Sequence, residues 1–220
     1  MDAGSSAVRF PSLRKPRARL DRLRSHHLSI AAGIIKADER LWTIDMVMLS
    51  MLQRSYGLVD GLIDAVDRFN IYVAPPLLRM QIDTLVRAHY IATCANGEEV
   101  CRRLLAGDQF RNMKDGNGKP LSDAHLMRLA SEAHGWAKEV YQRTSGWVHL
   151  SEEHIRAGWQ LTDPNERTMT LRVPASEEAI PESMWLEILM AMTRATEELF
   201  GWAESWTANK GLPPGVERTL

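Results

Sequence analysis

The stretch "PPLLRMQIDTLVRAHYIATCANG", residues 75–97, contains the start, the buried face and the end of one predicted helix. Pro75 and Pro76 suit a first helical turn, where the backbone N–H group that proline lacks would have no helical partner anyway. Asn96 and Gly97 form a signal for a C-terminal stop. The apolar face has helical spacing and comprises Leu78, Ile82, Leu85, His89 and Ala92. This segment predicts an amphipathic helix that packs against other helices.

Helical spacing of apolar residues recurs along most of the chain. It predicts two helices or one kinked helix over 17–69, a helix over 98–114, a helix of about six turns after the N-cap Ser122, and a last helix over 181–206. Between the last two, a turn at Asp163-Pro164-Asn165 lies between two segments of strand character. The predicted fold class is all-α, a helical bundle of five to six helices with a small β-hairpin insertion near residues 156–173.

Both ends of the chain lack this periodicity. The first residues are rich in Gly, Ser and Pro, and the last ones read "NKGLPPGVERTL". The predicted organisation is a flexible basic lead-in over 1–16, a single helical-bundle domain over 17–206 and a loose tail over 207–220.

Composition excludes several classes of protein. With 220 residues, 45% of them hydrophobic and 25% charged, the chain can bury a core and is not disordered throughout. No apolar run approaches the roughly 18–20 residues that a membrane span needs. The two cysteines, Cys94 and Cys101, are too few for a disulfide framework and favour a reducing compartment, so a cytoplasmic protein is predicted.

Charge is unevenly distributed although the net charge is −1. Residues 9–24 hold seven basic residues and one acidic residue, whereas residues 176–204 hold seven acidic residues and one basic residue. The basic segment could bind nucleic acid, pair with the acidic segment, or simply face solvent.

Known metal and cofactor motifs are missing from the sequence. There is no pair of Glu-x-x-His motifs for a di-iron site, no zinc spacing, and no glycine-rich phosphate loop. The sequence therefore predicts neither a metal nor a cofactor.

The segment "YQRTSGWVHLSEEH", residues 141–154, contains the main catalytic candidates, Arg143 and His149. Histidine can act as acid or base near neutral pH, and arginine stabilises negative charge on a phosphate. Tyr141 and Ser145 could add hydrogen bonds. Six positions place Arg143 and His149 about 120° apart on a straight helix, so they can cooperate only if the backbone bends near Gly146 or if a second subunit contributes. The alternative is an edge ion pair and a histidine at a helix end.

A second charged motif lies on the helix that begins at Pro75. Arg79, Asp83 and Arg87 are spaced i, i+4 and i+8, which places one carboxylate between two guanidinium groups. His89 on the same helix is predicted to be a core histidine with satisfied hydrogen bonds.

These two segments resemble the HEPN superfamily, particularly its abortive-infection and toxin-like branches. The resemblance lies in "PPLLRMQIDTLVRAHYIATCAN" and in "YQRTSGWVH", which is similar to R-x4–6-H and to Y-x-x-x-S-x-x-x-H variants. It implies a homodimeric, metal-independent endoribonuclease that acts in phage defence or as a toxin, with RNA and an antitoxin or defence-system protein as partners. Arg143 would bind phosphate, His149 would be the acid or base, and Arg79 and Asp83 would support them. Because many HEPN-like domains bind without cutting, a non-catalytic protein- or RNA-binding module is the alternative.

Overall fold

The computed structural model describes residues 10–38, 40–148, 151–152, 155, 159–163, 168–171 and 180–210. The predicted all-α class is confirmed over these residues. The α-helices are α1 (Arg14–Lys36), α2 (Thr43–Asp67), α3 (Ala74–Thr93), α4 (Gly97–Leu105), α5 (Asp123–Ala130), α6 (Gly135–Ser145) and α7 (Glu182–Asn209). Short 3-10 helices cover Pro11–Leu13 and Phe110–Asn112. Within the segment 156–173, β1 (Trp159–Asp163) and β2 (Thr168–Leu171) run antiparallel, with Trp159 opposite Leu171.

Four long helices enclose the core. Helix α1 packs on α2 and α7, and α3 packs on the other side of the same two helices. Fully buried side chains from these helices fill the centre, and they include Leu20, Leu62, Ile82, Leu85, Trp185 and Leu189. Each such burial contributes about 1.5–3 kcal/mol, so the amphipathic pattern seen in the sequence supplies most of the driving force.

A buried polar network joins the same four helices. The Ser55 hydroxyl of α2 lies 2.9 Å from Nε2 of His27 in α1 and accepts a hydrogen bond from Nε2 of Gln81 in α3 at 2.8 Å. The Gln81 amide also reaches Thr196 of α7 at 3.3 Å. Because buried polar groups are costly when unpaired, this network favours one register of the four helices.

The helix that begins at Pro75 ends earlier than the sequence indicates. Its prolines lie in the first turn, as predicted, but the helix stops at Thr93. Asn96 starts α4 instead of ending α3, because its side chain accepts a hydrogen bond from the N–H of Glu99 at 3.0 Å. A Cβ at Gly97 would lie 2.4 Å from the Ile91 carbonyl oxygen, so only glycine fits there. The predicted helix 98–114 likewise ends at Leu105.

The predicted helix of six turns after Ser122 is wrong. Ser122 does cap a helix, but α5 ends at Ala130 and α6 starts at Gly135. The intervening turn is held by His134, whose N–H donates to the Ala130 carbonyl oxygen at 2.8 Å. The His134 ring pairs with Glu198 of α7 at 2.6 Å. This tertiary contact holds the turn between α5 and α6, although the apolar periodicity of the sequence continues through it.

Two predicted boundaries also change. Helix α1 starts at Arg14, so residues 14–16 are helical and do not belong to a flexible lead-in. Helix α7 continues through Asn209, and the Lys210 side chain is fully buried, so the predicted loose tail is wrong over 207–210. Residues 1–9 and 211–220 lie outside the described residues. None of the described helices combines the length and hydropathy required to cross a bilayer.

Candidate functional site

Three of the predicted supporting residues meet at the C-terminal end of α6. Nη1 of Arg79, from α3, donates hydrogen bonds to the Tyr141 carbonyl oxygen at 3.1 Å and to the Ser145 hydroxyl at 2.8 Å. The guanidinium carbon also lies 3.8 Å from the centroid of the Tyr141 ring. A cation at a helix C-terminus is favoured by the helix dipole, so the arrangement is stable without any ligand. We call Arg79, Tyr141 and Ser145 the Arg79 cluster.

The Arg79 cluster retains donors that could hold an anion. Both hydrogen bonds of Arg79 use Nη1, so Nε and Nη2 make no hydrogen bond with the described part of the chain. Burial raises the pKa of the Tyr141 phenol, although the Arg79 guanidinium partly opposes that rise. The phenol therefore keeps its proton at neutral pH and can only donate or accept a hydrogen bond.

Arg143 lies on the other face of α6. At about 100° per residue, Arg143 is about 200° from Tyr141, whereas Ser145 is only about 40° from it. The Arg143 guanidinium pairs with the Glu187 carboxylate of α7 at 2.8 Å, and the two side chains are 60% and 56% exposed. Thr144, between the two faces, is buried and donates to the Val140 carbonyl oxygen at 2.8 Å. The structure therefore places Arg143 outside the Arg79 cluster.

His149 lies outside the described residues, so its meeting with Arg143 stays a prediction. Helix α6 does end at the expected place, at Ser145 with Gly146 as its C-cap, although Gly146 itself keeps right-handed helical dihedral angles. Tight turns follow, in which the N–H of Val148 donates to the Ser145 carbonyl oxygen at 3.2 Å. The Trp147 ring is buried and contacts Tyr72 edge to face at 6.1 Å.

Asp83 does not lie between Arg79 and Arg87 as predicted. Its carboxylate contacts Arg87, which is the expected i, i+4 partner, but the second cation is Arg54 of α2 at 3.9 Å. Arg87 also donates to Asp123 of α5 at 2.7 Å. Because Arg79 turns towards α6 instead, Asp83 pairs with Arg54 and Arg87 and makes no hydrogen bond or ion pair with the Arg79 cluster.

A histidine cluster that the sequence did not reveal lies between α3, α6 and α7. The His89 ring is buried, with centroids of His134 at 5.1 Å and Trp202 at 5.2 Å, all edge to face. His89 is a core residue as predicted, but its Nδ1 has no hydrogen-bond partner among the described residues. The hydrogen bond expected for this atom is therefore not seen among the described residues.

Glu198 of α7 holds the histidine cluster in place by binding side chains at the start of α6. Its carboxylate accepts hydrogen bonds from Nδ1 of His134 at 2.6 Å, Nε1 of Trp136 at 3.0 Å and Nε of Arg194 at 2.8 Å. Sequence spacing indicates only the i, i+4 relation of Arg194 and Glu198. Nothing in the pattern indicates that His134 and Trp136 would reach the same carboxylate.

Buried histidines make stability depend on pH. Burial, and secondly the neighbouring His134, lower the pKa of His89, and burial lowers the pKa of His27. Below the ordinary histidine pKa of about 6.5, His89 and His27 therefore bind more protons in the unfolded chain than in the folded one. We expect the free energy of unfolding to fall between pH 7.5 and pH 5.5, by up to about 1.4 kcal/mol per pH unit for each histidine.

Urea unfolding at several pH values tests this expectation. His89→Phe keeps a ring of similar size and removes one titrating group, so the pH dependence of the unfolding free energy should become shallower. An unchanged dependence in that variant would show that His89 does not contribute.

A groove of about 1180 Å³ lies between α1, α6 and α7, and we call it the α1–α6–α7 groove. Arg143 is part of its wall. Ion pairs cross it from α7 to both neighbouring helices: Glu187 to Arg143 at 2.8 Å and Glu197 to Arg19 at 2.6 Å. The basic segment thus pairs in part with the acidic segment, which was one of the three predicted alternatives. The α1–α6–α7 groove is also lined by Arg14, Lys15, Ala18, Arg22, Trp136, Glu139, Val140, Met190, Ala191, Arg194 and Glu198.

Metal-ligand geometry and relatives add no further assignment. Within the described ranges, no group of three or more His, Cys, Asp or Glu side chains is placed to hold a metal ion. The chain matches no protein-family model, no curated protein and no solved structure. The resemblance to the HEPN superfamily therefore depends on the motifs alone.

Proposed function

We propose that this chain is a HEPN-like, metal-independent endoribonuclease whose site lies at the end of α6. The observation that carries the proposal is the Arg79 cluster, in which a guanidinium from the helix of the first motif contacts Tyr141 and Ser145 of the second. These are the first two positions of the Y-x-x-x-S-x-x-x-H pattern, and His149 is the third. Arg79 is 62 positions from Tyr141 and 66 from Ser145 in the chain, and the contact between the two motifs supports the proposal.

The proposed reaction is attack of a ribose 2′-hydroxyl on the adjacent phosphorus. His149 removes the 2′-hydroxyl proton or protonates the departing 5′ oxygen, as an imidazole can do near neutral pH. The phosphorus–oxygen bond to the 5′ oxygen breaks, and the products are a 2′,3′-cyclic phosphate and a 5′-hydroxyl. The guanidinium stabilises the charge that develops on the phosphate oxygens, and the Ser145 hydroxyl donates a further hydrogen bond.

Two arginines compete for the role of phosphate-binding cation. The sequence favours Arg143, paired with His149 across a homodimer. The contacts favour Arg79, because Arg143 is on the opposite face of α6 and its charge is paired with Glu187 at 2.8 Å. We therefore propose Arg79 as the cation, with Arg143 as the contrasting variant in the test.

Cleavage of a labelled RNA in excess EDTA tests the proposal. We expect His149→Ala to reduce the rate about a hundredfold, because general acid–base groups contribute roughly 10²–10⁴-fold. Arg79→Lys keeps the charge but loses the planar fork, and we expect a loss of about tenfold or more. Ser145→Ala should have a smaller effect. The 5′ fragment should end in a 2′,3′-cyclic phosphate, and the 3′ fragment should begin with a 5′-hydroxyl.

Arg143→Ala is the control, because it removes an exposed guanidinium of the same helix. It should leave the cleavage rate unchanged and alter stability by no more than about 0.5 kcal/mol. If Arg143→Ala abolishes cleavage and Arg79→Lys does not, the Arg143/His149 pair is the site. If His149→Ala cleaves like the wild type, neither version holds.

The second candidate is a non-catalytic helical module that binds protein or RNA. The exposed Arg143–Glu187 pair favours it, because an edge ion pair is the role expected of Arg143 in such a module. In that case no variant changes RNA cleavage, and Arg79→Lys acts only by loosening the end of α6. A melting temperature lowered by Arg79→Lys, without any RNA cleavage by the wild type, would favour this module.

A further inference from the structure

We propose that the α1–α6–α7 groove binds an amphipathic helix of a partner protein. The flank of the partner helix that faces α1 carries carboxylates. The groove lies on the face of α6 that carries Arg143, away from the Arg79 cluster, so it is a separate surface from the proposed nuclease site. Its shape, its apolar floor and its unpaired cations each point to this kind of partner.

The groove has the length and lining that a further helix needs. It follows α7 from Glu187 to Glu198, which is about 16 Å or three helical turns. Its floor is apolar, and Met190 in the middle of the α7 wall is 63% exposed. Val140 and Ala191 flank it. An amphipathic helix binds such a groove by inserting apolar residues spaced three and four apart.

Within the described part of the chain, two unpaired cations of the groove lie on α1, and the unpaired carboxylate of Glu139 lies across from them on α6. Lys15 and Arg22 are seven residues apart, so they lie on one face of the helix, and both are exposed. Neither makes an ion pair with any described residue. The carboxylates of α7 in this groove are already paired, because Glu187 binds Arg143 and Glu197 binds Arg19. A partner that places Asp or Glu beside α1 therefore gains two attractive contacts without breaking an existing pair.

An RNA backbone fits this groove less well. Carboxylates of Glu139, Glu187, Glu197 and Glu198 line it and would repel phosphates. One face of the Trp136 ring is already covered and is closed to base stacking, because the Arg194 guanidinium lies over it at 4.9 Å from the centroid. Its indole N–H is bonded to Glu198 at 3.0 Å.

A synthetic helical peptide of about 14 residues, long enough for three to four turns, is the probe. It carries Leu along one face, Glu along one flank and a fluorophore, and its binding to the full chain is measured by fluorescence anisotropy. We expect a dissociation constant in the range of about 1–100 µM. Met190→Lys should weaken binding at least tenfold, and so should Lys15→Glu/Arg22→Glu. The second effect should shrink as salt increases, because exposed charges are screened.

Matched variants outside the groove provide the controls. Leu28→Lys places the same new charge on an α1 residue that is 71% exposed, and Arg40→Glu/Arg68→Glu reverses two exposed cations elsewhere. Both should bind the peptide like the wild type. RNA cleavage should be unchanged in Met190→Lys, so this test does not depend on the proposed nuclease.

Four outcomes would overturn the proposal. The first is the absence of peptide binding at about 1 mM, and the second is equal binding of a peptide that has Lys in place of Glu. The third is wild-type peptide affinity in Met190→Lys. The fourth is binding of a short RNA that is abolished by Lys15→Glu/Arg22→Glu and is not displaced by the peptide. Self-association of the chain that Met190→Lys abolishes would assign the groove to a second copy instead.

Discussion

Replacement of Lys210 by methionine should lower the free energy of unfolding by about 3–5 kcal/mol, because it leaves a buried carboxylate without its cation. Lys210 Nζ lies 3.0 Å from Oδ2 of Asp45, and both side chains are 0% exposed. Methionine has nearly the volume of the lysine stem, so the loss comes from the charge and not from a cavity. An unpaired buried charge of this kind is among the largest effects that one substitution can produce.

Asp45 and Lys210 each have further partners that tie the pair to three helix ends. Its Oδ1 accepts a hydrogen bond from the Trp206 indole at 2.7 Å, and its Oδ2 accepts one from the backbone N–H of Trp42 at 2.6 Å. Lys210 also donates to the Ile34 carbonyl oxygen at 2.8 Å, near the end of α1. The pair thus joins the end of α1, the start of α2 and the end of α7, and its loss should loosen all three.

Urea unfolding of three variants measures this effect. Lys138→Met removes an exposed lysine by the same substitution and should change stability by no more than about 0.5 kcal/mol. In an Asp45→Asn background, Lys210→Met should cost clearly less than it does alone, because the two residues are coupled. If Lys210→Met is as mild as Lys138→Met, or if the two substitutions are additive, the buried pair is not stabilising.

This pair shows where sequence patterns stop being informative. Asp45 interrupts an apolar run and Lys210 begins a stretch without periodicity, so neither residue suggests a buried partner. Periodicity predicts which face of a helix is buried, because it depends on local geometry. It does not predict which distant helix covers that face. The all-α class and the capping role of Ser122 were therefore predictable, whereas the burial of Lys210 was not.

The candidate site was predictable to a similar extent. The spacing of Tyr141 and Ser145 places them on one face of a helix, and the motif on α3 supplies Arg79, so the members of the cluster could be named from the sequence. Their mutual contact depends on how α3 and α6 pack. The Arg143–Glu187 pair depends in the same way on how α6 and α7 pack. The sequence does not show this pairing, so it favours Arg143 as the phosphate-binding cation, whereas the contacts favour Arg79.

Trp185 is the side chain whose truncation should cost most among the core residues. It is 0% exposed in the first turns of α7 and is one of the largest fully buried side chains. Its ring contacts Phe69 edge to face at 5.6 Å, and Phe69 contacts Phe10 at the same distance. Trp185→Ala should lower the free energy of unfolding by about 3–5 kcal/mol, because it removes these contacts and leaves a cavity.

The strained backbone of Phe69 depends on the same aromatic contacts. Its φ of 52° lies in the left-handed region, which costs a residue with a side chain about 1–2 kcal/mol. The contacts of its ring with Trp185 and Phe10 help to hold it there. When Trp185 is truncated, this support is weakened, and we expect the turn between α2 and α3 to lose protection from hydrogen exchange together with the start of α7.

Trp185→Phe separates the contribution of the ring from that of the indole N–H. The Nε1 atom is buried and has no hydrogen-bond partner among the described residues, so the phenylalanine variant loses no hydrogen bond and removes an unsatisfied donor. It should therefore cost only about 1–2 kcal/mol, the part due to lost volume. Urea unfolding of both variants decides: equal costs for Ala and Phe would mean that the indole N–H is satisfied after all, whereas a mild effect of Trp185→Ala would mean that the aromatic contacts with Phe69 do not hold the start of α7 in place.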